Sequence, residues 1–574
     1  MIGLNKIGLN QVQLNRLRLN APFPAYGKMA GGGGSGDGFP QLPGDVTRWH
    51  FGGLTNEMMA AMDDPRIEDA DGKGRFLSFK NFAWKGMSGV GGYAGDFSKW
   101  ANNRDTTEIG ITKSNSKVII DVKVSQGSGT NIVFISKSNL GISNNVTIKI
   151  TSTYPEGVMK FANSASNKYL KLPSNGVITL QDNPEYTRSE MHLYLGSADL
   201  GQITIEQLPL YPGFILGDGV DDFAVTEKEL NFEDTYTVYT AFVPFQNNPT
   251  RNAILCGADS KKTFSMQYSS LVYVSFIAGN NYYINADFVN GLNLFACKRN
   301  GNNICIKNLL TNKVVTGTCG DWVENAGLYY LWKNATYASF ARAGIAGQII
   351  DNGHFTTDEE DENILNWHKK QYPWLFPNQA WTVTGKTNED EDRATIANIT
   401  GNGNDLVLSN FGFAEGSGYN EEGEYAGYLV TDGVDDKIVS SSFGMGKDFT
   451  IVGDWKFIDN KKSGTGLVKG SSFYIYNTMI GLDLYINSGS VKNSLDGIKS
   501  INAACSDGRA YDRNWNEILA NTGNVVGSSG MLEVSSSGGR FDRIAFKNLA
   551  IYPRILSKDD CIKAYNYLQT LKAK

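Results

Sequence analysis

Short segments of alternating apolar and polar residues recur along most of the chain, with turn residues between them. Residues 118–122, 146–150 and 202–205 are typical, since every second position is Val or Ile. Side chains on a strand point alternately to its two faces, so this period of two predicts strands with one buried face. The 64 Gly residues provide turns, and the 27 Tyr and 29 Phe residues favour strands. The pattern predicts an all-β fold made of sandwiches.

Residues 1–20 follow a different pattern, an apolar-x-Leu-Asn unit repeated every five residues. A period of five advances a helix by about 140° per repeat, and because it is odd it also reverses the faces of a flat strand. Four units are too short to bury their own leucines. The alternatives are a disordered leader and an extended anchor held by a partner chain, and we favour the anchor. Its apolar contacts would be made by Leu4, Leu9, Leu14 and Leu19.

Residues 21–45 form a linker rich in Gly and Pro. Residues 30–38 are mostly Gly, and prolines flank them on both sides. No Gly-Lys-Ser/Thr follows, which argues against a phosphate-binding loop. The composition predicts a flexible tether.

The chain contains an internal duplication. Residues 217–222, Gly-Asp-Gly-Val-Asp-Asp, recur at 431–436 as Thr-Asp-Gly-Val-Asp-Asp. An alternating strand follows each copy, at 236–239 and 449–452. Each copy also ends in a predicted helix, with a hydroxyl at the N-cap and a carboxylate three residues later. We therefore predict two modules of the same fold.

A second repeat indicates that the first module is interrupted. Trp49, Gly53 and Thr55-Asn56-Glu57 recur at the same spacing as Trp381, Gly385 and Thr387-Asn388-Glu389, and Asn81-Phe82 recurs as Asn410-Phe411. The simplest explanation is an insertion between two adjacent strands, which is tolerated where strand ends lie close together at a surface. The alternating segments within the insertion are typical of a small Ig-like sandwich. The predicted boundaries are 46–97 and 211–376 for the split first module, 98–210 for the inserted sandwich, and 378–574 for the second module.

These repeated segments resemble known families. The Asp-Gly-Val-Asp-Asp segments and the strands after them resemble laminin-G-like and concanavalin-A-like jelly rolls. The blocks at 81–89 and 410–418 look like segments of virion proteins from Bacteroides-infecting phages, including the crAss-like group. The insertion resembles Ig-like or BACON-type modules. The resemblance covers most of residues 46–574 and implies two jelly-roll sandwiches, one carrying an Ig-like insertion, in a phage appendage.

Charge and cysteine usage exclude several classes of protein. The 59 acidic and 53 basic residues give a net charge of -6, which offers no basic face for nucleic acid. No apolar run reaches the roughly 18 residues of a membrane span, and the first residues lack the unbroken apolar stretch of a signal peptide. The six cysteines form no Cys-x-x-Cys pair, which favours free thiols and cytoplasmic synthesis.

The sequence lacks motifs for catalysis. Its four His residues lie outside any nucleophile motif, and no His-Glu-x-x-His is present. A concanavalin-like glycosidase would show Glu-x-Asp-x-Glu on one strand, where a period of two aims all three carboxylates at the same sugar. No such strand occurs. We predict that the protein is not an enzyme, with polysaccharide degradation as the alternative.

Carboxylates cluster in the duplicated turn motif. Asp218, Asp221, Asp432 and Asp435 are the candidate metal ligands, because carboxylates on a turn suit a hard cation such as calcium. Asp-Gly between two strands is also the ordinary signature of a tight turn, which is the interpretation we favour. The sequence indicates no other cofactor.

Sugar binding by a β-sandwich generally uses exposed aromatic rings that stack on pyranose faces. The candidates are Tyr282 and Tyr283 in the first module and Tyr511 and Trp515 in the second. Trp515 lies in the polar stretch 511–516, unlike a core strand, which predicts that it is exposed. Packing in the core or at an interface is the alternative for each of them.

Taken together, these features predict a virion protein, a fibre or tail-associated appendage made in the host cytoplasm. Its N-terminal repeats would dock on other virion proteins, and its lectin-like modules would bind bacterial surface polysaccharide. Multivalency in a homo-oligomer, with a trimer favoured, would compensate for weak individual sites. The alternatives are a purely structural virion protein, a polysaccharide-degrading tail enzyme and a secreted bacterial glycan-binding protein.

Overall fold

The structure is a computed structural model. The anchor leucines Leu4, Leu9, Leu14 and Leu19 lie outside the described residues. The structure describes residues 38–573 except 103–106, 125–129, 137–145, 156, 164–167, 181–189, 196–199, 246–251, 258–263, 269–271, 279, 288–291, 322–324, 334–339, 402, 415, 459–464, 470–472, 478–480, 487–491, 497–500, 520–527, 535 and 538–539.

Four strands and a short helix form the first part of the chain. Helix α1 (Asn56–Ala60) begins after Thr55, whose hydroxyl accepts a hydrogen bond from the amide of Met58 and caps the first turn. Trp49 and Phe79 are buried in the apolar core of the first sandwich. The strands are β1 (Asp45–His50), β2 (Arg66–Glu68), β3 (Phe76–Lys80) and β4 (Gly89–Val90).

The next ten strands form two five-stranded sheets of their own. They are β5 (Ala101–Asn102), β6 (Ile109–Lys113), β7 (Lys117–Val122), β8 (Thr130–Ser136), β9 (Thr147–Ser152), β10 (Met159–Asn163), β11 (Lys168–Lys171), β12 (Asn175–Thr179), β13 (Glu190–Leu195) and β14 (Gly201–Gln207). The sheet orders are β11-β10-β13-β8-β5 and β12-β9-β14-β7-β6. Trp100, Ile120 and Ile148 lie in the apolar core of this inserted sandwich.

Fourteen further strands complete the first sandwich. They are β15 (Ile215–Leu216), β16 (Phe223–Thr226), β17 (Leu230–Phe232), β18 (Thr235–Pro244), β19 (Asn252–Gly257), β20 (Phe264–Tyr268), β21 (Val272–Ala278), β22 (Asn280–Ala286), β23 (Asn293–Asn300), β24 (Asn303–Asn308), β25 (Lys313–Thr318), β26 (Asn325–Gly327), β27 (Tyr330–Leu331) and β28 (Ala343–Asn352). The main sheets run β4-β15-β28-β18-β23-β24-β25, with β1 also on β28, and β2-β3-β16-β27-β19-β20-β21-β22. Strands from both sides of the inserted sandwich therefore belong to the same two sheets.

The second sandwich comprises the remaining strands. They are β29 (Gln379–Thr382), β30 (Thr395–Ile396), β31 (Leu406–Ser409), β32 (Gly418–Asn420), β33 (Tyr428–Val430), β34 (Lys437–Ser440), β35 (Phe443–Met445), β36 (Thr450–Phe457), β37 (Thr465–Lys469), β38 (Phe473–Asn477), β39 (Gly481–Ile486), β40 (Lys492–Asp496), β41 (Ile501–Cys505), β42 (Arg509–Asp512), β43 (Glu517–Leu519), β44 (Ser528–Gly530), β45 (Glu533–Val534), β46 (Ser536–Ser537), β47 (Arg540–Phe541) and β48 (Ile544–Tyr552). Its main sheets run β32-β33-β48-β36-β41-β42-β43, with β29 also on β48, and β30-β31-β34-β45-β37-β38-β39-β40.

The two large sandwiches share one topology, strand for strand, in both of their main sheets. The central antiparallel pairs β18–β28 and β36–β48 even carry a β-bulge at the corresponding place, after Ala241 in one and after Asp454 in the other. A bulge fixes the register of a strand pair, so its repetition reflects a duplicated backbone. The all-β class predicted from the sequence is confirmed.

Each large sandwich ends in a capped helix. Helix α2 (Asp358–Gln371) follows Thr357, which forms a capping box with Glu360. Helix α3 (Lys558–Thr570) follows Ser557, whose hydroxyl accepts a hydrogen bond from the amide of Asp560. None of the described helices is long and apolar enough to cross a membrane.

A shared apolar core joins the sandwiches. It contains residues of both helices, such as Leu365 and Tyr565, together with Ala296 of the first sandwich, Val452 of the second and Val177 of the insertion. Burial of this apolar surface holds the sandwiches together through the hydrophobic effect.

Candidate functional site

The first acidic turn connects β15 to β16, and its carboxylates are used by its own backbone. The Asp222 carboxylate accepts a hydrogen bond from the amide of Asp218 at 3.0 Å, and Asp218 accepts one from the amide of Val220 at 2.7 Å. Gly219 has a φ of 80°, and a Cβ there would come within 2.9 Å of the Arg342 side chain. The motif needs Gly at this position for both reasons.

The second acidic turn repeats this geometry between β33 and β34. The Asp436 carboxylate accepts from the amide of Asp432, and Asp432 accepts from the amide of Val434, both at 2.7 Å. Gly433 has a φ of 75°. The same hydrogen bonds form in both copies, so the motif folds into a defined turn, as its Asp-Gly sequence predicts.

The blocks at 81–89 and 410–418, which carry the virion resemblance, each provide a hydrogen bond to one of these turns. The side-chain amide of Asn81 donates to the carbonyl of Asp221 at 3.1 Å, and that of Asn410 donates to the carbonyl of Asp435 at 3.0 Å. Both Asn residues have positive φ values, 66° and 68°, a conformation that Asn tolerates better than most residues. Two sequence motifs thus fold into one structural unit in each large sandwich.

Both acidic turns meet part of the requirement for a cation site. In each, one carboxylate oxygen from every member lies within 4.8 Å of the others. Burial and the neighbouring carboxylates raise the pKa of Asp222 to about 7 and that of Asp436 to about 6. Calcium takes about 6–8 oxygen ligands. Three carboxylates reach that number only if they bind in bidentate mode or if water molecules complete the coordination. The clusters are Asp218, Asp221 and Asp222, and Asp432, Asp435 and Asp436.

The predicted exposure of Trp515 is wrong, and Tyr511, the other candidate sugar-binding residue of the second module, is buried as well. Both side chains are 0% exposed, so neither can stack on a sugar. The Trp515 ring packs edge-on against Tyr565 of α3, with ring centroids 5.6 Å apart. Its indole nitrogen donates to the hydroxyl of Thr179 in the inserted sandwich at 3.4 Å. These aromatics are packing residues where the second sandwich meets its neighbours, and the side chains of Tyr282 and Tyr283 lie outside the described residues.

An aromatic surface that the sequence did not reveal lies on the outer face of the inserted sandwich. Tyr169 is 48% exposed. The Lys160 ammonium lies 4.0 Å from the centroid of the Tyr169 ring and 4.6 Å from that of Tyr194. We call Lys160, Tyr169 and Tyr194 the lysine–tyrosine patch. Cation–π attraction holds the three side chains together and leaves ring surface exposed to solvent.

Strand register explains why these side chains meet. Lys160 on β10 lies opposite Tyr194 on β13 and opposite Lys171 on β11. Tyr169, two residues before Lys171, therefore shares their face. The three patch residues come from three strands, and a single sequence shows alternation but not which strands pair. Knowledge of the strand pairing would have been needed to predict the patch.

A second aromatic cluster adjoins the first acidic turn. Phe223, directly after Asp222, lies 6.4 Å from the ring centroids of both Tyr330 and Phe340. The Lys333 ammonium sits 4.3 Å from the Phe223 centroid. All four side chains are only partly exposed. This cluster offers less open ring surface than the lysine–tyrosine patch.

The sequence matches no family model and no curated protein. Similar solved structures include the binding domain of botulinum neurotoxin serotype D, at 10% identity and a TM-score of 0.27 over 61% of this chain and 89% of that one. The serotype C1 binding domain is similar at 9% identity and a TM-score of 0.25, over 60% and 86%. The exoplasmic/lumenal domain of VIP36 is similar at 10% identity and a TM-score of 0.20, over 28% and 87%. Likeness at this level assigns no function to this chain.

Proposed function

We propose that this chain is a non-enzymatic appendage of a bacteriophage particle that attaches to polysaccharide on the bacterial surface. The observation that supports glycan binding is the lysine–tyrosine patch, where the exposed Tyr169 ring and the Lys160 ammonium share one face of a sheet. Aromatic rings offer apolar faces to the C–H faces of pyranoses, and an ammonium donates hydrogen bonds to hydroxyls or carboxylates.

The patch is built on paired strands over a packed core, which suits recognition of a stiff polymer. The side chains beneath it, Phe161 and Leu193, are 1% and 0% exposed and fix the strands from below. A preorganised site loses little side-chain entropy on binding. Lys160 and the exposed Lys171 lie on the same face, and their charge favours acidic polysaccharides over neutral ones.

The virion part of the proposal rests on the resemblance of the 81–89 and 410–418 blocks to phage proteins. In this proposal residues 1–20 dock on other virion proteins, and the sandwiches project outward from the particle. A homo-oligomer, trimeric by preference, would present several patches at once. Avidity then compensates for a shallow site.

The test is binding of the full chain to a glycan array and to host cells, with and without calcium. We expect saturable binding, and at least a tenfold loss of affinity, about 1.4 kcal/mol, when Tyr169→Ala and Tyr194→Ala are combined. The matched control combines Tyr169→Phe with Tyr194→Phe, which keeps both rings and should keep the binding.

The other outcomes identify the alternatives. A folded chain that binds no host polysaccharide at any valency would support a purely structural virion role. Shortening of a bound polysaccharide during the assay would show an enzyme. Binding that survives loss of both rings would place the glycan site elsewhere on the chain.

A further inference from the structure

A cavity of about 360 Å³ lies where the two large sandwiches and their helices meet. Leu292 of the first sandwich and Ile399 of the second both line it. Leu365 of α2 and Leu571, next to the end of α3, complete its apolar wall. Its volume falls within the range of about 300–1,000 Å³ that is usual for small-molecule sites.

Much of the wall of the cavity is formed by buried aliphatic side chains. Leu292, Leu365, Leu375, Ile399 and Leu571 are between 2% and 6% exposed. A sugar enclosed by such side chains would leave hydroxyl groups without hydrogen-bond partners, which is costly. The wall instead suits a hydrocarbon body, whose burial is favourable.

Two cations interrupt this apolar wall. Arg554 donates from Nη1 to the carbonyl of Lys369 at 2.8 Å, which holds the guanidinium beside α2. A guanidinium has five N–H donors, and this bond uses one of them. Both side chains line the cavity, and no Asp or Glu does.

Neither cation forms an ion pair with any residue in the part of the chain that the structure describes. Burial lowers the pKa of Lys369 and the pKa of Arg554, because desolvation disfavours the charged forms. An anion bound between the two side chains would offset that cost.

We propose that this cavity binds a small amphipathic carboxylate. Its carboxylate would pair with Arg554 and Lys369, and its hydrocarbon body would lie against Leu292, Leu365 and Ile399. Arg is well suited to the headgroup because its planar donors match the two oxygens of a carboxylate. The ligand would contact both large sandwiches and would stiffen their junction. The site is separate from the lysine–tyrosine patch.

Calorimetric titration of the full chain with decanoate tests the site. We expect saturable binding of one decanoate per chain. Decan-1-ol, which has the same body without the charge, should bind at least tenfold more weakly, and glucuronate, which has the charge without the body, should not bind. No saturable decanoate binding would overturn the site. Equal binding of decan-1-ol would overturn the role of the cations, and glucuronate binding would overturn that of the apolar wall.

Substitutions separate the site from the fold. Lys369→Gln and Arg554→Gln should each weaken decanoate binding at least tenfold. Lys370→Gln, which changes the exposed neighbour on the same helix, is the matched control and should bind like the parent chain. If Arg554→Gln fails to fold, Lys369→Gln alone decides the matter. Glycan binding by these variants should equal that of the parent chain, so failure of either proposal can be recognised independently.

Discussion

Asp222 is a buried carboxylate whose ionisation opposes folding. Burial, with the carboxylates of Asp218 and Asp221, raises its pKa to about 7, far above the ordinary value near 4. Between those values the folded chain holds a proton that the unfolded chain has released. The contribution of Asp222 to stability is therefore present below about pH 4 and is lost as pH rises to about 7. In the parent chain we expect the free energy of unfolding, measured with urea, to fall by roughly 2–4 kcal/mol between pH 4 and 8 because of Asp222. Asp222→Asn cannot ionise, so this decline should be absent from that variant.

The same pH series separates a bare turn from a calcium site. Asp448→Asn changes an exposed carboxylate and is the control, with a profile like that of the parent chain. A bound cation favours the ionised form of its ligands, so calcium held by this turn would abolish the decline in the parent chain. A parent profile that Asp222→Asn leaves unchanged would contradict the assignment to Asp222.

Trp515 shows where residue-level interpretation of the sequence fails. Its polar neighbours predict exposure, yet they form the loop that holds the ring inside. The Asp512 carboxylate accepts from the amides of Asn514 and Asn516, both at 2.8 Å, while Trp515 adopts a φ of 59°. Polar residues here satisfy a tight backbone. The sequence shows the polar stretch but could not show that another sandwich covers it.

The two capped helices share one equivalent hydrogen bond to their sheets but differ in the side chains at a second pair of corresponding positions. The hydroxyl of Thr237 accepts from the amide of Thr356 at 3.1 Å, and that of Thr450 accepts from the amide of Leu556 at 2.9 Å. These equivalent bonds align the two modules. On this alignment Lys298 and Asp361 in the first module correspond to Cys505 and Cys561 in the second, because they pair with the same Thr residues and follow the same N-caps.

The ion pair of the first module is almost fully buried. The Lys298 ammonium lies 2.7 Å from the Asp361 carboxylate, and their side chains are 4% and 1% exposed. Asp361 also accepts from the hydroxyl of Tyr239 at 2.9 Å and pairs with Lys307 at 3.2 Å. The corresponding residues of the second module, Cys505 and Cys561, are both 0% exposed, and the Cys505 thiol accepts a hydrogen bond from the hydroxyl of Thr450 at 3.6 Å.

Removing one partner from a buried ion pair costs more than trimming a thiol. We expect Asp361→Asn to destabilise the attachment of α2 by about 3–5 kcal/mol, because Lys298 keeps a buried charge without its full counter-charge. Hydrogen exchange should then quicken roughly a hundredfold or more across the α2 amides. Cys561→Ala is the matched substitution in α3 and should have a much smaller effect on the α3 amides. Equal effects in the two helices would contradict this account.

At the scale of the whole molecule, local signals predict the fold but not how its parts meet. Alternation predicts the strands, and the repeated Asp-Gly-Val-Asp-Asp segments predict two modules of one topology, because both follow from backbone geometry. Residues that pack between the sandwiches, such as Trp374 and Tyr565, carry no local pattern that names their partners. The lysine–tyrosine patch was missed for the same reason.

Helix α3 contacts all three sandwiches through consecutive residues. Tyr565 packs on Trp515 of the second sandwich. Asn566 accepts from the Thr147 hydroxyl at 2.6 Å and donates to the Pro209 carbonyl at 3.2 Å. The Tyr567 hydroxyl accepts from the amide of Leu292 at 2.6 Å in the first sandwich. One turn of helix therefore contacts all three sandwiches at once.

Asn566 should accordingly control the position of the inserted sandwich. Asn566→Ala removes one partner of the Thr147 hydroxyl and leaves the Thr179 hydroxyl, at 3.0 Å, as the other, so we expect a loss of about 0.5–1.5 kcal/mol, seen as faster hydrogen exchange in β9. Thr147→Val removes the same bond from the other side, so the double variant should cost less than the sum of the two single variants. Asn366→Ala, on the exposed face of α2, should leave β9 unchanged. Strictly additive losses would mean that the two residues act independently, and the inserted sandwich would then be positioned by its apolar contacts rather than by α3.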